Sequence, residues 1–237
     1  MKRFTVVISV VCALVFAGLL GYSYWKSYGP WALAIYAAMA LALPFSSLTH
    51  ELGHMLFGAI CKIKAVPRLK IFGSSSCKLI PKTDKSLRAR VFITALGGIL
   101  INLLFIMLGV LAMWLNAVPD WLALFLPASV YLFLMNLMPV QFANGKTDGL
   151  ICNNLLNKTD DSKVMLAVLT VQAQVLNGKP IEEVDENLLF NVPQIQEDDA
   201  GFIALTELRY EYFAAKGEAE QAEKYKSRFE QLKKEYM

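Results

Sequence analysis

The segment His50-Glu51-Leu52-Gly53-His54 contains both histidines of a 237-residue chain. On a helix, residues i and i+4 share a face, so two imidazoles at this spacing can grip one Zn²⁺ while the glutamate between them stays free to move a proton. Chance seldom places these three residue types in this order. A packing role for one buried histidine would leave the second and the glutamate unexplained. The motif ends an apolar stretch running from Trp31 through Leu43, where a soluble zinc hydrolase would carry an amphipathic helix. Metal-binding side chains at membrane depth are costly to bury, and that cost marks them as functional.

A catalytic zinc site typically has three protein ligands and an open position. No third histidine exists, and Cys12, Cys61, Cys77 and Cys152 show no metal spacing and read as ordinary thiols, so a carboxylate must complete the set. Asp120 falls on the far side of the last apolar run, whereas Asp148 is the first acid after it. Pro139 cannot continue a helix, and Gly145 and Gly149 permit a tight return, so this span is predicted to unwind and carry Asp148 back toward the metal. An Asp-Gly pair after a helix also makes an ordinary turn. Asn102 and Asn136 are amides inside apolar helices, where polar groups need partners. Two roles are open to them, interhelical hydrogen bonding and stabilisation of a substrate or oxyanion. Gly97 and Gly98 suit close helix packing.

These residues need a scaffold, and composition indicates its kind. The chain is 56% hydrophobic and 18% charged, with mean hydropathy +0.43, which exceeds ordinary soluble domains. The excess lies in residues 4–20, 31–60, 91–115 and 121–142. Each run is long enough, or nearly so, to cross a hydrocarbon core of ~30 Å, so about four transmembrane helices are predicted. Lys2-Arg3 followed by an apolar run has the form of a signal peptide, but no small-x-small site precedes a polar start, and residues 4–20 read as a retained anchor.

Orientation follows from the basic residues. The loop from Cys61 to Arg90 is rich in Lys and Arg with Asp84 as its one acid, while the loops at 21–30 and 116–120 hold only Lys26 and Asp120. By the positive-inside rule the basic loop is cytoplasmic, and Lys2 and Arg3 agree; both termini then face the cytoplasm of a multi-pass cell-membrane protein. Trp25, Trp31, Trp114 and Trp121 flank the two outer loops, as an aromatic belt does. Within the basic loop, Ile63, Ala65, Leu69, Ile71, Leu79 and Ile80 alternate partly with Lys and Arg around Gly73-Ser74-Ser75-Ser76, which predicts a β-hairpin at the membrane surface. Its free edge could extend a peptide by strand addition, and its charge suits anionic lipid heads.

From Asp148 onward the chain turns polar and acidic, a balance that excludes nucleic-acid binding. Apolar residues recur with helical spacing over Val164 to Leu176, Phe202 to Phe213 and Ala219 to Leu232, with Gly178 and Gly217 as stops. The segments around these glycines loosely resemble tetratricopeptide helix pairs, and a protein partner for this tail is a second expectation beside a simple cap. The organisation read from sequence is an N-terminal anchor and outer loop (1–30), a membrane-embedded core (31–150) and a cytoplasmic helical domain (151–237).

Taken together, His50 to His54, Gly98-Ile99-Leu100-Ile101-Asn102, Asn136-x-x-Pro139 and Asp148-Gly149 resemble the site-2 proteases, which are intramembrane zinc metalloproteases. The resemblance covers roughly residues 31–150. Thr147 stands where that family usually has Leu, and the stretch between Pro139 and Asp148 is longer than its common form. The resemblance implies a three-helix protease core with Zn²⁺ on His50, His54 and Asp148, Glu51 as general acid–base, and Asn102 and Asn136 beside the chemistry. Its substrates would be membrane-spanning proteins or peptides, such as signalling precursors, membrane-bound regulators or leftover signal peptides. The alternative is a catalytically inactive membrane scaffold, or a metal-binding membrane protein, acting through the C-terminal helical domain. A transporter would scatter polar ligands along several spans, and an inactive scaffold has no use for Glu51.

Overall fold

The structure, a computed structural model, describes residues 18, 22, 25–27, 29–68, 76–115, 126–142 and 145–236. It is mostly helical with two small sheets. Helix α1 (Trp31–Ile60) runs through Pro44 as one element of 30 residues and ends at Cys61. Antiparallel strands β1 (Ile63–Arg68) and β2 (Ser76–Pro81) follow, in a register that pairs Ile63 with Pro81 and Arg68 with Ser76. Next come α2 (Leu87–Trp114) and α3 (Leu126–Leu137). The expected hairpin is therefore present, with its tip at 69–75 outside the described residues.

Helices α1 and α2 cross where Gly53 meets Gly97. A Cβ added to either would lie 2.5 or 2.7 Å from the other's carbonyl oxygen, so no side chain larger than hydrogen fits and the two backbones touch. Helix α3 joins them through a buried pair of hydroxyls, Ser46 Oγ and Ser129 Oγ, at 3.2 Å. The inner face of α2 is buried at Val91, Thr94, Ala95, Ile99 and Asn102. Its outer face leaves Leu104, Met107, Leu108, Leu111 and Trp114 exposed. On α1, Leu41, Phe45, Leu52, Leu56 and Ile60 are likewise exposed, as are Tyr131 and Leu134 on α3. The three helices thus turn polar and small residues toward one another and large apolar ones outward.

Helix α2, with 28 residues, is the one helix among those described that is long and apolar enough to cross a membrane. Helix α3 is apolar over its described residues, Leu126–Leu137. It stops at Leu137, just ahead of Pro139. The first expected span, residues 4–20, lies outside the described residues but for Gly18, and so does the 116–120 loop.

Past Pro139 the chain makes a short hairpin, β3 (Gln141–Phe142) with β4 (Gly145–Lys146), and enters α4 (Asp148–Asn157). Helices α5 (Asp160–Leu176), α6 (Asn187–Phe190), α7 (Ala200–Lys216) and α8 (Ala219–Tyr236) complete the chain. Thr147, Thr159 and Asp199 cap α4, α5 and α7 by accepting a backbone N–H of the first turn. Gly178 and Gly217 follow their helices at φ +89° and +76°, conformations that suit glycine, as their role as stops requires. Two cores result. Val164, Val171, Leu189, Leu205 and Tyr212 fill the helical domain. Ile63, Leu87, Val91, Leu155 and Leu169 bind that domain to α2 and the hairpin. Helix α4 itself runs across the 150/151 boundary read from sequence.

Candidate metal centre

The local sequence makes α1 helical through the motif, so His50 and His54 fall one turn apart on the face turned to α2. Both are buried, as is Glu51. Their Nε2 atoms lie 3.2 Å apart. Asp148 Oδ2 stands 3.0 Å from His50 Nε2 and 3.2 Å from His54 Nε2. Two helices and a return loop thus bring together the three residues predicted from sequence, and these atoms could hold a metal ion.

The fit can be tested on distances. A tetrahedral ion with bonds of about 2.1 Å separates its ligand atoms by about 3.4 Å, close to the observed triangle of 3.0, 3.2 and 3.2 Å. Asp148 Oδ2 is shielded from solvent and has no well-formed hydrogen bond, although it points at two imidazole nitrogens. Three acceptor atoms converging without donors among them are what a cation requires. Space is reserved as well, because a Cβ on Gly98 would lie 2.5–2.6 Å from His50 Cε1, His50 Nε2 and His54 Nε2. Gly98 therefore clears the imidazoles, beyond the helix-packing role expected of it, while Gly97 serves packing at Gly53.

The far sides of the imidazoles are tied down. His54 Nδ1 is 2.8 Å from the carbonyl oxygen of Thr94, an acceptor only, so Nδ1 carries the proton and Nε2 presents its lone pair. His50 Nδ1 is 3.1 Å from the Asn102 amide, whose Oδ1 is otherwise buried without a partner. Turning that amide end for end lets Oδ1 accept the Nδ1–H of His50 and leaves His50 Nε2 free in the same way. In that orientation Asn102 positions His50. Asn136 donates to the carbonyl of Leu132 at 3.0 Å, within its own helix, and makes no described hydrogen bond to the three ligands.

Asp148 reaches its place because the chain turns sharply. The Thr147 hydroxyl donates to Met138 O at 2.6 Å and accepts from Leu150 N at 3.2 Å, closing the loop and starting α4 together. Gly149 lies so close to the end of α3 that an added Cβ would sit 2.1 Å from Leu137 O. Asp148 is then the first residue of a helix, where the dipole favours negative charge. Burial opposes ionisation of this carboxyl, and only positive charge at the two Nε2 positions, carried by protons on His50 and His54 or by a metal ion in their place, offsets it.

Glu51 does not join the triangle. Its Oε2 accepts from Cys77 Sγ on β2 at 2.9 Å, which brings the hairpin to the mouth of the site. Burial, then the bond to Glu51, push the Cys77 thiol up, so it stays protonated and donates. Spacing alone did not single out Cys77 or the Thr94 carbonyl. A lone cysteine in a strand and a main-chain oxygen carry no sequence signal, and only the packing of β2 and α2 brings them to the motif. In comparisons with known proteins, no family model, no curated sequence and no solved structure matches the chain.

Proposed function

We propose that this chain is an intramembrane zinc metalloprotease, hydrolysing peptide bonds of membrane-spanning proteins or peptides. The observation that carries the reading is the convergence of His50 Nε2, His54 Nε2 and Asp148 Oδ2, with the buried Glu51 carboxylate beside them but outside the triangle. Two imidazoles and one carboxylate suit zinc and leave a coordination position open. The motifs that resemble site-2 proteases are the residues that meet here.

Zinc in this position supplies a Lewis acid that polarises a peptide carbonyl and acidifies water. The residues of the chain do the rest. Glu51 takes a proton from the attacking water and returns it to the leaving amine, which completes the hydrolysis with no net gain or loss of protons by the protein. Thr94 and Asn102 hold the imidazoles in the tautomer that frees both Nε2 atoms. Helix packing around the buried site excludes bulk water and strengthens each of these interactions.

The outward apolar side chains of α1, α2 and α3 support a bilayer as the surrounding medium, since contiguous apolar patches of this kind are rare on water-soluble monomers. The polar surface of α7 and α8 suits water. A multi-pass arrangement with the basic hairpin loop and both termini in the cytoplasm follows from the positive-inside rule. The helical domain then offers a cytoplasmic surface for a protein partner, while the edge of β1–β2 offers main-chain hydrogen bonds to an extended substrate. A metal-storing or scaffold role would leave Glu51 only its hydrogen bond to Cys77.

The direct test is Glu51→Gln in the purified protein, with a transmembrane peptide as substrate and zinc content measured in parallel. Cleavage should fall by about a hundredfold to ten-thousandfold, with zinc content unchanged. His50→Ala and His54→Ala should lose both. Undiminished cleavage by the Glu51 variant would sink the protease assignment.

A further inference from the structure

The third ligand begins α4 directly after a segment with little stability of its own. Strands β3 and β4 pair over two residues each, Gln141 with Lys146 and Phe142 with Gly145. A two-stranded ribbon of that length has no independent stability. What grips it from outside is the helical domain, through Lys146, two residues before Asp148. Lys146 Nζ is 2.6 Å from Asp161 Oδ2 in the first turn of α5, and it also pairs with Asp199 Oδ2 at the N-terminus of α7. Asp199 has two tasks, since its Oδ1 accepts from Gly201 N at 2.8 Å and caps α7.

This cluster differs from a surface ion pair. The Lys146 and Asp199 side chains are only 18% and 13% exposed. Asp161 is 37% exposed, so the costly partner is Asp199: removing the cation leaves that shielded carboxylate facing a second acid with little water. The lengths of chain are also short. From Lys146, Thr147 leads directly to Asp148, and the Thr147 hydroxyl is already committed to Met138 O and Leu150 N. A shift of Lys146 is therefore handed on to Asp148 with little slack between them.

We propose that Lys146 is a latch through which the cytoplasmic helical domain completes the metal site, so that the seating of α5 and α7 sets how tightly the metal is held. The latch rests on the metal-site reading above. It makes the helical domain a working part of the centre, and it gives any partner that moves the start of α7 a mechanical route to Asp148.

The test measures zinc affinity of the full-length protein in detergent by competition with a chromogenic chelator, with circular dichroism as a check on folding. Lys146→Met should weaken zinc binding by about tenfold to a hundredfold, the range seen when groups that orient metal ligands are removed, and Lys146→Arg should restore most of it. Asp199→Asn keeps the helix cap but removes the charge, and it should weaken binding several-fold. Tyr225→Ala, which removes the ring stacked on Phe213 at the end of α7 far from Asp199, should lower the unfolding midpoint with zinc affinity kept within about twofold. In an Asp148→Asn background, Lys146→Met should cause no further loss, because its effect passes through that carboxylate. Folded Lys146→Met or Asp199→Asn with wild-type zinc affinity would overturn the latch, as would a further loss in the Asp148→Asn background. A wild-type protein that binds no zinc would instead overturn the metal-site reading beneath it.

Discussion

Cys77 Sγ lies 2.9 Å from Glu51 Oε2, and through this contact the hairpin reaches the acidic side chain of the motif that lies outside the His50–His54–Asp148 triangle. The thiol is half-buried against a carboxylate, so its ionisation is opposed first by lost hydration and then by the neighbouring charge. Protonated, it donates to one carboxylate oxygen of Glu51. The hairpin is thus joined to the site by a side chain as well as by its proximity.

The contact predicts a change in thiol chemistry. In a chain keeping Cys77 as its sole cysteine, alkylation by a maleimide should be slow, because only the thiolate reacts. Glu51→Gln removes the negative charge, lowers the thiol's pKa back toward its ordinary range and should speed alkylation at fixed pH by about tenfold for each unit recovered. Burial remains, so the thiol should still react more slowly than a free one. Equal rates in the two proteins would show that Cys77 and Glu51 do not touch.

Asn102 gives a prediction that separates two orientations of one amide. If Oδ1 accepts the Nδ1–H of His50, Asn102→Asp keeps the acceptor and should bind zinc at close to wild-type affinity, whereas Asn102→Leu should lose about tenfold to a hundredfold. If the NH₂ group were the partner instead, aspartate would be the worse replacement of the two. Zinc titrations of both variants, with folding checked by circular dichroism, decide it.

Much of this was legible in sequence, for reasons that differ from residue to residue. His50, Glu51 and His54 could be placed because helical periodicity alone puts the histidines on one face. The return of Asp148 to the histidines could be read because Pro139 had to end a helix. The hairpin could be read from alternation, and α5, α7 and α8 from apolar spacing with glycine stops. Sequence gave no warning that Asn136 would bond within its own turn, since an amide in an apolar helix has the same pattern whether its partner is local or distant. Nor could it show that Thr147 caps α4 and braces the loop, because that depends on where the carbonyls of Met138 and Val140 come to rest. The grip of Asp161 and Asp199 on Lys146 joins residues from three separate elements, and only the tertiary fold reveals it.

Asp148 is the proposed ligand whose identity depends most on the fold, and it carries the last prediction. Asp148→Asn preserves size and the start of α4, where asparagine is tolerated, but replaces an anionic donor by a neutral amide oxygen that binds zinc poorly. Zinc affinity should fall steeply and peptide cleavage should nearly vanish, while the protein still inserts and folds. Asp84→Asn and Asp160→Asn are the matched controls. Asp84 accepts a long 3.4 Å contact from Gln174 and Asp160 pairs with Lys163 at the surface, so both face away from the histidines and both variants should keep metal and activity. Zinc content and cleavage measured on the three proteins side by side test the placement. Normal metal binding in Asp148→Asn together with loss in either control would mean that the return after Pro139 delivers a different carboxylate to the histidines.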